Sequence, residues 1–131
     1  MDDKYIVRVA TNNDMHSIFR WLMMQDIGKE QTFLWNWRST EVAWRQDEIF
    51  VCIDTHTNEA IAYIYADFYI LNVKLQERGK GIGKMLVSYA MNWCDKNGVD
   101  EINIECSPKT SIPFWIKMGF TIEGNIGKYI F

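Results

Sequence analysis

Cysteine is scarce in this chain of 131 residues, limited to Cys52, Cys94 and Cys106. The three form no CxxC pair and leave an odd thiol, which argues against a disulfide framework and suits a reducing cytoplasm. Histidine is scarcer still. His16 and His56 lie far apart, at no metal-ligand spacing, so no metal is expected and each reads as a surface or partly packed residue. No apolar run approaches the roughly 18 residues of a membrane span. The opening Met1-Asp2-Asp3-Lys4 is charged, unlike a signal peptide, so the expectation is a cytoplasmic chain with no membrane partner. Positive charge is not in surplus either: 14 Lys and Arg against 17 Asp and Glu give a net charge of −3. That balance argues against nucleic acid as the main partner, since such binding depends on neutralising many phosphates. Repeats, linkers and low-complexity segments are also missing.

What the chain does have is apolar and aromatic mass. Hydrophobic residues make up 48% and aromatics 15%, which predicts a compact globule and excludes disorder. The length predicts one domain, residues 1–131, large enough for a core.

Periodicity divides the chain into alternating elements. Tyr5 to Ala10 reads as a strand. Asn13 or Asp14 can cap a helix whose apolar face is Met15, Ile18, Phe19, Leu22 and Met23, with Gly28 ending that region. Ser39 is placed to cap a short second helix through about Gln46. Ile49–Ile53 and Ala60–Tyr65 read as strands around a polar turn. Asp67 marks a bend before an apolar strand running from Phe68 to Val73. The next helix starts near Ile82: Ile82, Met85, Leu86, Tyr89, Ala90 and Trp93 share one face, and Gly98 stops it. A strand at Glu101–Cys106, a short helix at Thr110–Met118 and one or two strands to Phe131 complete the order. The expected class is α/β (α+β), a mixed sheet covered by helices.

Between the Phe68–Val73 strand and the helix lies Arg78-Gly79-Lys80-Gly81-Ile82-Gly83-Lys84. A strand, a turn of alternating glycines and cations, and a helix N-terminus suit a phosphate or pyrophosphate. Glycine permits positive φ and close approach of a ligand. The first helical N–H groups lack intrahelical partners, and the helix dipole favours an anion there. The segment is not a Walker A loop, because Gly79 and Gly83 have three residues between them and Met85 stands where the metal-holding hydroxyl belongs. A dinucleotide fingerprint read from Gly79 and Gly81 would need a glycine where Lys84 stands. On spacing alone, a tight strand-to-helix turn with no ligand remains the alternative.

The segment Val73-Lys-Leu-Gln-Glu-Arg78-Gly-Lys-Gly-Ile-Gly-Lys-Met-Leu86 resembles the acetyl-CoA-binding motif of the GNAT superfamily of N-acetyltransferases. That motif, (Arg/Gln)-x-x-Gly-x-(Gly/Ala) after a valine-ended strand, falls here on Arg78, Gly81 and Gly83, preceded by Val73. A second signature, aromatic-x-Lys-x-Gly-Phe, is similar to Trp115-Ile-Lys117-Met-Gly119-Phe120. The resemblance covers most of the chain and implies the GNAT fold, with a mostly antiparallel sheet flanked by helices. It implies acetyl-CoA as cosubstrate and an amine-bearing acceptor, small molecule or peptide. It also implies that Leu71, Asn72 and Val73 line the pantetheine arm, with a backbone N–H at Val73 or a neighbour receiving the oxyanion. Backbone groups from Gly79 through Lys80, Gly81, Ile82 and Gly83 to Lys84 would then hold the pyrophosphate, with Arg78 adding charge.

The acid and base are less defined. Where the family often carries a proton-donating tyrosine, this chain has Trp115, whose indole N–H cannot donate at useful pH. Trp115 is instead expected to pack against the pantetheine arm or the core. Tyr129 and Tyr89 are substitute acids that no spacing favours. Asp67 and Glu105, acidic residues in or beside apolar strands, are the candidate general bases, Asp67 ranked first. By the same resemblance, Phe33, Trp35, Trp37 and Trp44 fall where the acceptor site is walled, with core cover or a homodimer contact as alternatives. Two other functions stay open: a CoA-binding or regulatory module without efficient catalysis, and a binder of another phosphate ligand.

Overall fold

The structure, a computed structural model, describes residues 4–26 and 36–131. Among them the order is β1 (Tyr5–Val9), α1 (Asn12–Asp26), α2 (Trp37–Arg45), β2 (Ile49–Asp54), β3 (Glu59–Tyr65), β4 (Leu71–Val73), α3 (Ile82–Lys96), β5 (Glu101–Glu105), α4 (Ile112–Lys117), β6 (Thr121–Glu123) and β7 (Ile126–Ile130). The strands form two antiparallel sheets, β1-β2-β3-β4 and β5-β7-β6, flanked by the helices. No ladder joins β4 to β5, so each ends its own sheet.

Alternation along β2 and β3 builds two cores, one on each face of the first sheet. Phe50, Cys52, Ala62 and Ile64 face α3, with Leu86, Val87 and Ala90 packed against them. Ile49, Val51, Ile53, Tyr63 and Tyr65 face α1 and α2, meeting Ile18, Trp21 and Leu22. A register shift between Cys52 and Ile53 adjusts the pairing there. α2 is tied down at Tyr65, whose hydroxyl lies 2.6 Å from Oγ1 of the buried Thr40 and 2.9 Å from Oγ of Ser39.

Three sequence expectations are corrected. α1 is capped by Thr11, not by Asn13 or Asp14. The Thr11 N–H donates to Asp14 Oδ2 at 2.8 Å and the Asp14 N–H to Thr11 Oγ1 at 3.3 Å, a reciprocal box closed further by Arg8 on the buried Asp14 carboxylate. The buried face of α1 is Met15, Ile18, Trp21 and Leu22, while Phe19 and Met23 are exposed. The strand expected from Phe68 shrinks to Leu71–Val73. Asp67 Oδ1 accepts the Tyr69 N–H at 2.9 Å and Phe68 takes φ 66°, so residues 66–69 turn the chain from β3 into β4. Burial of the Phe68 ring against Trp115 and Phe120, at 6.4 and 6.2 Å, holds this uncommon backbone.

Candidate active site

A cavity of about 590 Å³ opens between β4 and β5 and reaches the N-terminus of α3. Its first wall is the outer edge of β4. Tyr65 N–H donates to Ile70 C=O at 3.0 Å and Lys74 N–H to Ile61 C=O at 2.8 Å, which sets the phase of the antiparallel ladder. Residues 70, 72 and 74 therefore turn their backbone groups to β3, and Leu71 and Val73 turn theirs outward. The outward Val73 carbonyl accepts the Arg78 Nε–H at 2.8 Å, while Arg78 Nη2 reaches Asn72 Oδ1 at 3.4 Å. Outward N–H groups at Leu71 and Val73 and the Leu71 carbonyl remain along the cavity, a pattern that matches an amide-bearing chain laid beside the strand.

The second wall is the glycine loop. Gly79 and Gly81 both have φ 82°, the left-handed region that excludes most side chains, and Gly81 is the N-cap of α3 with no side chain closing the turn. The N–H groups of Ile82, Gly83 and Lys84 begin the helix without intrahelical acceptors. Gly83 is helical and has room: a Cβ there would sit 3.5 Å from the Phe114 ring, ordinary contact. Arg78, Gly79, Gly81, Ile82, Gly83 and Lys84 all line the cavity, and Lys80 does not. Lys80 Nζ instead bonds Glu77 Oε2 at 2.8 Å, and that hydrogen bond raises the ammonium above its ordinary range.

The far wall comes from β5 and α4. Ile104 and Glu105 line it, with Glu105 on the face of β5 opposite to the buried Ile102 and Ile104. Trp115 lines it from α4, only 7% exposed, with Phe114 and Phe120 rings at 5.0 and 5.2 Å. Cys106, which follows β5, is buried, and burial pushes its thiol up, away from the thiolate form.

The structure thus brings Leu71, Asn72, Val73, Glu105 and Trp115 to the cavity that the glycine loop closes. Asp67 is exposed and absent from that lining, and its carboxylate is engaged by the Tyr69 N–H. Phe33 and Trp35 lie outside the described residues. Trp37 and Trp44 line a different cavity of about 410 Å³ between α1 and α2, with Phe19 and Glu41. Tyr89 packs on Phe50 at 5.0 Å and Tyr129 on Phe120 at 5.5 Å, and neither lines the larger cavity. Sequence reasoning passed over Tyr69, Ser107, Pro108, Ser111 and Phe114, which do. Only the Asp67-to-Tyr69 turn left a signal, in the acidic residue two positions before the tyrosine. Among the described residues, no helix is long and apolar enough to cross a membrane and no cluster has the makings of a metal site.

Comparison with known proteins bears on this geometry. The family profile of the acetyltransferase (GNAT) domain matches residues 31–122. Among curated proteins none matches in sequence. Solved structures with the same fold include a phosphinothricin acetyltransferase from Sinorhizobium meliloti in complex with acetyl-CoA. It superposes with a TM-score of 0.75 at 17% identity, over 98% of this chain and 89% of that one. A mosquito arylalkylamine N-acetyltransferase, like 5b, superposes at 0.74 with 14% identity, over 92% and 84%. The PaiA N-acetyltransferase of Thermoplasma acidophilum, in complex with coenzyme A, superposes at 0.66 with 17% identity, over 97% and 99%.

Proposed function

The chain belongs to the GNAT acetyltransferase family, and from that premise we propose that it moves the acetyl group of acetyl-CoA directly to a primary amine. The observation that carries this reading is the juxtaposition of β4's outward backbone edge with the uncapped N-terminus of α3 in one cavity. Bound there, acetyl-CoA supplies an activated acyl group on a thiol of ordinary pKa near 8.5. The chain's own part is positioning. Ile82, Gly83 and Lys84 offer N–H groups and the positive end of the α3 dipole to the pyrophosphate. Leu71 and Val73 offer N–H and C=O groups to the amides of the arm. The Val73 N–H is the donor for the oxygen that gains charge when the amine attacks.

Proton handling falls to the opposite wall. Glu105 lines the cavity and is placed to take a proton from the attacking amine through water. Asp67, held outside the lining, is the weaker candidate. Trp115 contributes shape and dryness and no proton. Direct transfer is favoured over an acetylated cysteine because Cys106 is buried with its thiol raised.

Calorimetric titration with acetyl-CoA, CoA and ATP in parallel tests the cofactor assignment. Micromolar acetyl-CoA affinity with ATP at least about tenfold weaker supports it; equal affinity for all three, or none, overturns it. Release of free thiol across a panel of amines then tests turnover.

A further inference from the structure

We propose that the ring of Tyr69 seats the acceptor, and that this acceptor is a primary monoamine with an apolar skeleton, alkyl or ring-bearing. The inference rests on the acetyltransferase reading above and adds a substrate class to the same site. In that reading the glycine loop takes the pyrophosphate at the C-terminal end of β4, and the outward edge of Leu71 and Val73 takes the arm. What the cofactor leaves for the acceptor is the other end of the strand, where Phe68, Tyr69 and Ile70 line the cavity. Phe68 and Ile70 are only 6% and 8% exposed, whereas Tyr69 is 68% exposed. An amine arriving at this end meets the Tyr69 ring before it meets either neighbour.

That ring is held in place. The Tyr69 N–H donates to Asp67 Oδ1 at 2.9 Å, and the Ile70 carbonyl accepts from the Tyr65 N–H at 3.0 Å, so the backbone is fixed on both sides of it. The ring centroid lies 5.8 Å from that of Tyr65, whose hydroxyl is bound by Thr40 and Ser39 of α2. An aromatic face that is anchored and still exposed loses little freedom when a ligand covers it. The rest of the lining decides the skeleton. Phe68, Ile70, Ile104, Phe114 and Trp115 make it largely apolar. Among the described residues two carboxylates line it: Glu77 holds Lys80, and Glu105 serves the reacting nitrogen. A second ammonium on the acceptor would find no carboxylate left in the lining and would lose hydration against an apolar wall. The attraction of one exposed ring for an ammonium is too small to offset that loss. A carboxylate on the acceptor fares no better, because the lining cations, Arg78 and Lys84, belong to the glycine loop at the opposite end.

Hexylamine and cadaverine have the same length and differ in one end group, methyl against ammonium. The wild type is expected to favour hexylamine by about tenfold or more in kcat/KM. Tyr69→Ala should erase the preference through the KM of hexylamine, with acetyl-CoA affinity checking that the fold and the cofactor site are intact. Tyr69→Phe keeps the ring and should restore the preference. Preference for cadaverine, no preference in the wild type, or survival of the preference in Tyr69→Ala overturns the assignment. So does its loss in Tyr69→Phe, which would place the effect in the hydroxyl and not the ring. A second readout needs no turnover. In the CoA-bound protein the Tyr69 ring resonances, identified by their loss in Tyr69→Ala, are expected to shift with phenethylamine and not with cadaverine. Resonances unmoved by phenethylamine also overturn it. Failure of acetyl-CoA and CoA to bind the wild type counts instead against the acetyltransferase reading.

Discussion

Arg78 Nε donates to the Val73 carbonyl oxygen at 2.8 Å, so the first cation of the glycine loop is anchored to the strand before it. This bond covers the one outward carbonyl of β4 nearest the loop and fixes the distance between strand edge and helix N-terminus. Arg78→Ala is expected to weaken acetyl-CoA binding by roughly tenfold, the scale of one charge-assisted hydrogen bond. Arg78→Lys keeps the charge without the fork and should recover only part of the loss. Because Arg78 is exposed, the melting temperature should hold. Calorimetry beside thermal melts checks both; unchanged affinity in both variants sinks the anchoring role.

The loop glycines differ in what they tolerate. Gly81→Asp adds bulk and negative charge at φ 82° and should abolish acetyl-CoA binding. Gly83→Asp should also abolish it, through charge alone, in a protein that still folds. Gly83→Ala meets only ordinary contact with Phe114 and gains up to about 1 kcal/mol of helix propensity. A melting temperature at or above wild type for Gly83→Ala, with binding lost in both aspartates, is the expected set.

The parts of the molecule that local pattern controls were readable in the sequence. α3 showed itself because Ile82, Leu86 and Ala90 repeat at helical spacing, and all three are buried. The loop showed itself because several glycines in one turn exceed what a turn needs. β4 was misread for a local reason hidden in side-chain geometry: the Asp67 carboxylate captures the Tyr69 N–H, so an apolar run becomes a turn. Phe19 was misplaced because Phe19 and Trp21 flank the Ile18–Leu22 stripe of α1 on opposite sides, and the helix buries the Trp21 side, where the indole N–H donates to the Ala60 carbonyl at 2.9 Å. The wall built by Ser107, Ser111 and Phe114 is created by packing between segments distant in the chain, which no periodicity reports. Trp37 illustrates the same limit, since aromatic character gave no means of telling which cavity it would line.

Glu105 and Asp67 separate in a pair of conservative variants. Glu105→Gln should lower kcat by about a hundredfold while leaving acetyl-CoA affinity near wild type. Asp67→Asn should have little effect, because the asparagine oxygen can still accept the Tyr69 N–H. The reverse ranking in steady-state kinetics would return the base to Asp67.

Trp115 ties the core to the site. Trp115→Ala should cost about 3–5 kcal/mol in denaturant unfolding, the usual range for a buried tryptophan. Trp115→Tyr retains most of the packing and brings a phenol to the cavity wall. Its expected effect is a modest loss of stability with kcat equal to or above wild type, since a phenol can return a proton to the leaving thiolate. A kcat well below wild type would mean that the indole's shape matters more than any proton.

Alkaline stability follows from the buried thiols. Burial, reinforced by Asp54 and then Glu77, pushes Cys52 from an ordinary 9.0 up to about 11. Cys94, Cys106 and the Tyr65 hydroxyl are raised as well, each mainly by burial. Below pH 9 Cys52 carries its proton in both folded and unfolded chains, and its contribution to stability is fully present. Between about 9 and 11 the unfolded chain releases the proton while the folded chain keeps it, so stability falls as pH rises through that window. Cys52→Ala removes one of these groups and should flatten the decline, although it leaves a small cavity that lowers stability at neutral pH. Urea midpoints for wild type and variant, compared at neutral pH and near pH 10, test the point. Parallel declines in the two proteins would show that ionisation of Cys52 is not coupled to unfolding.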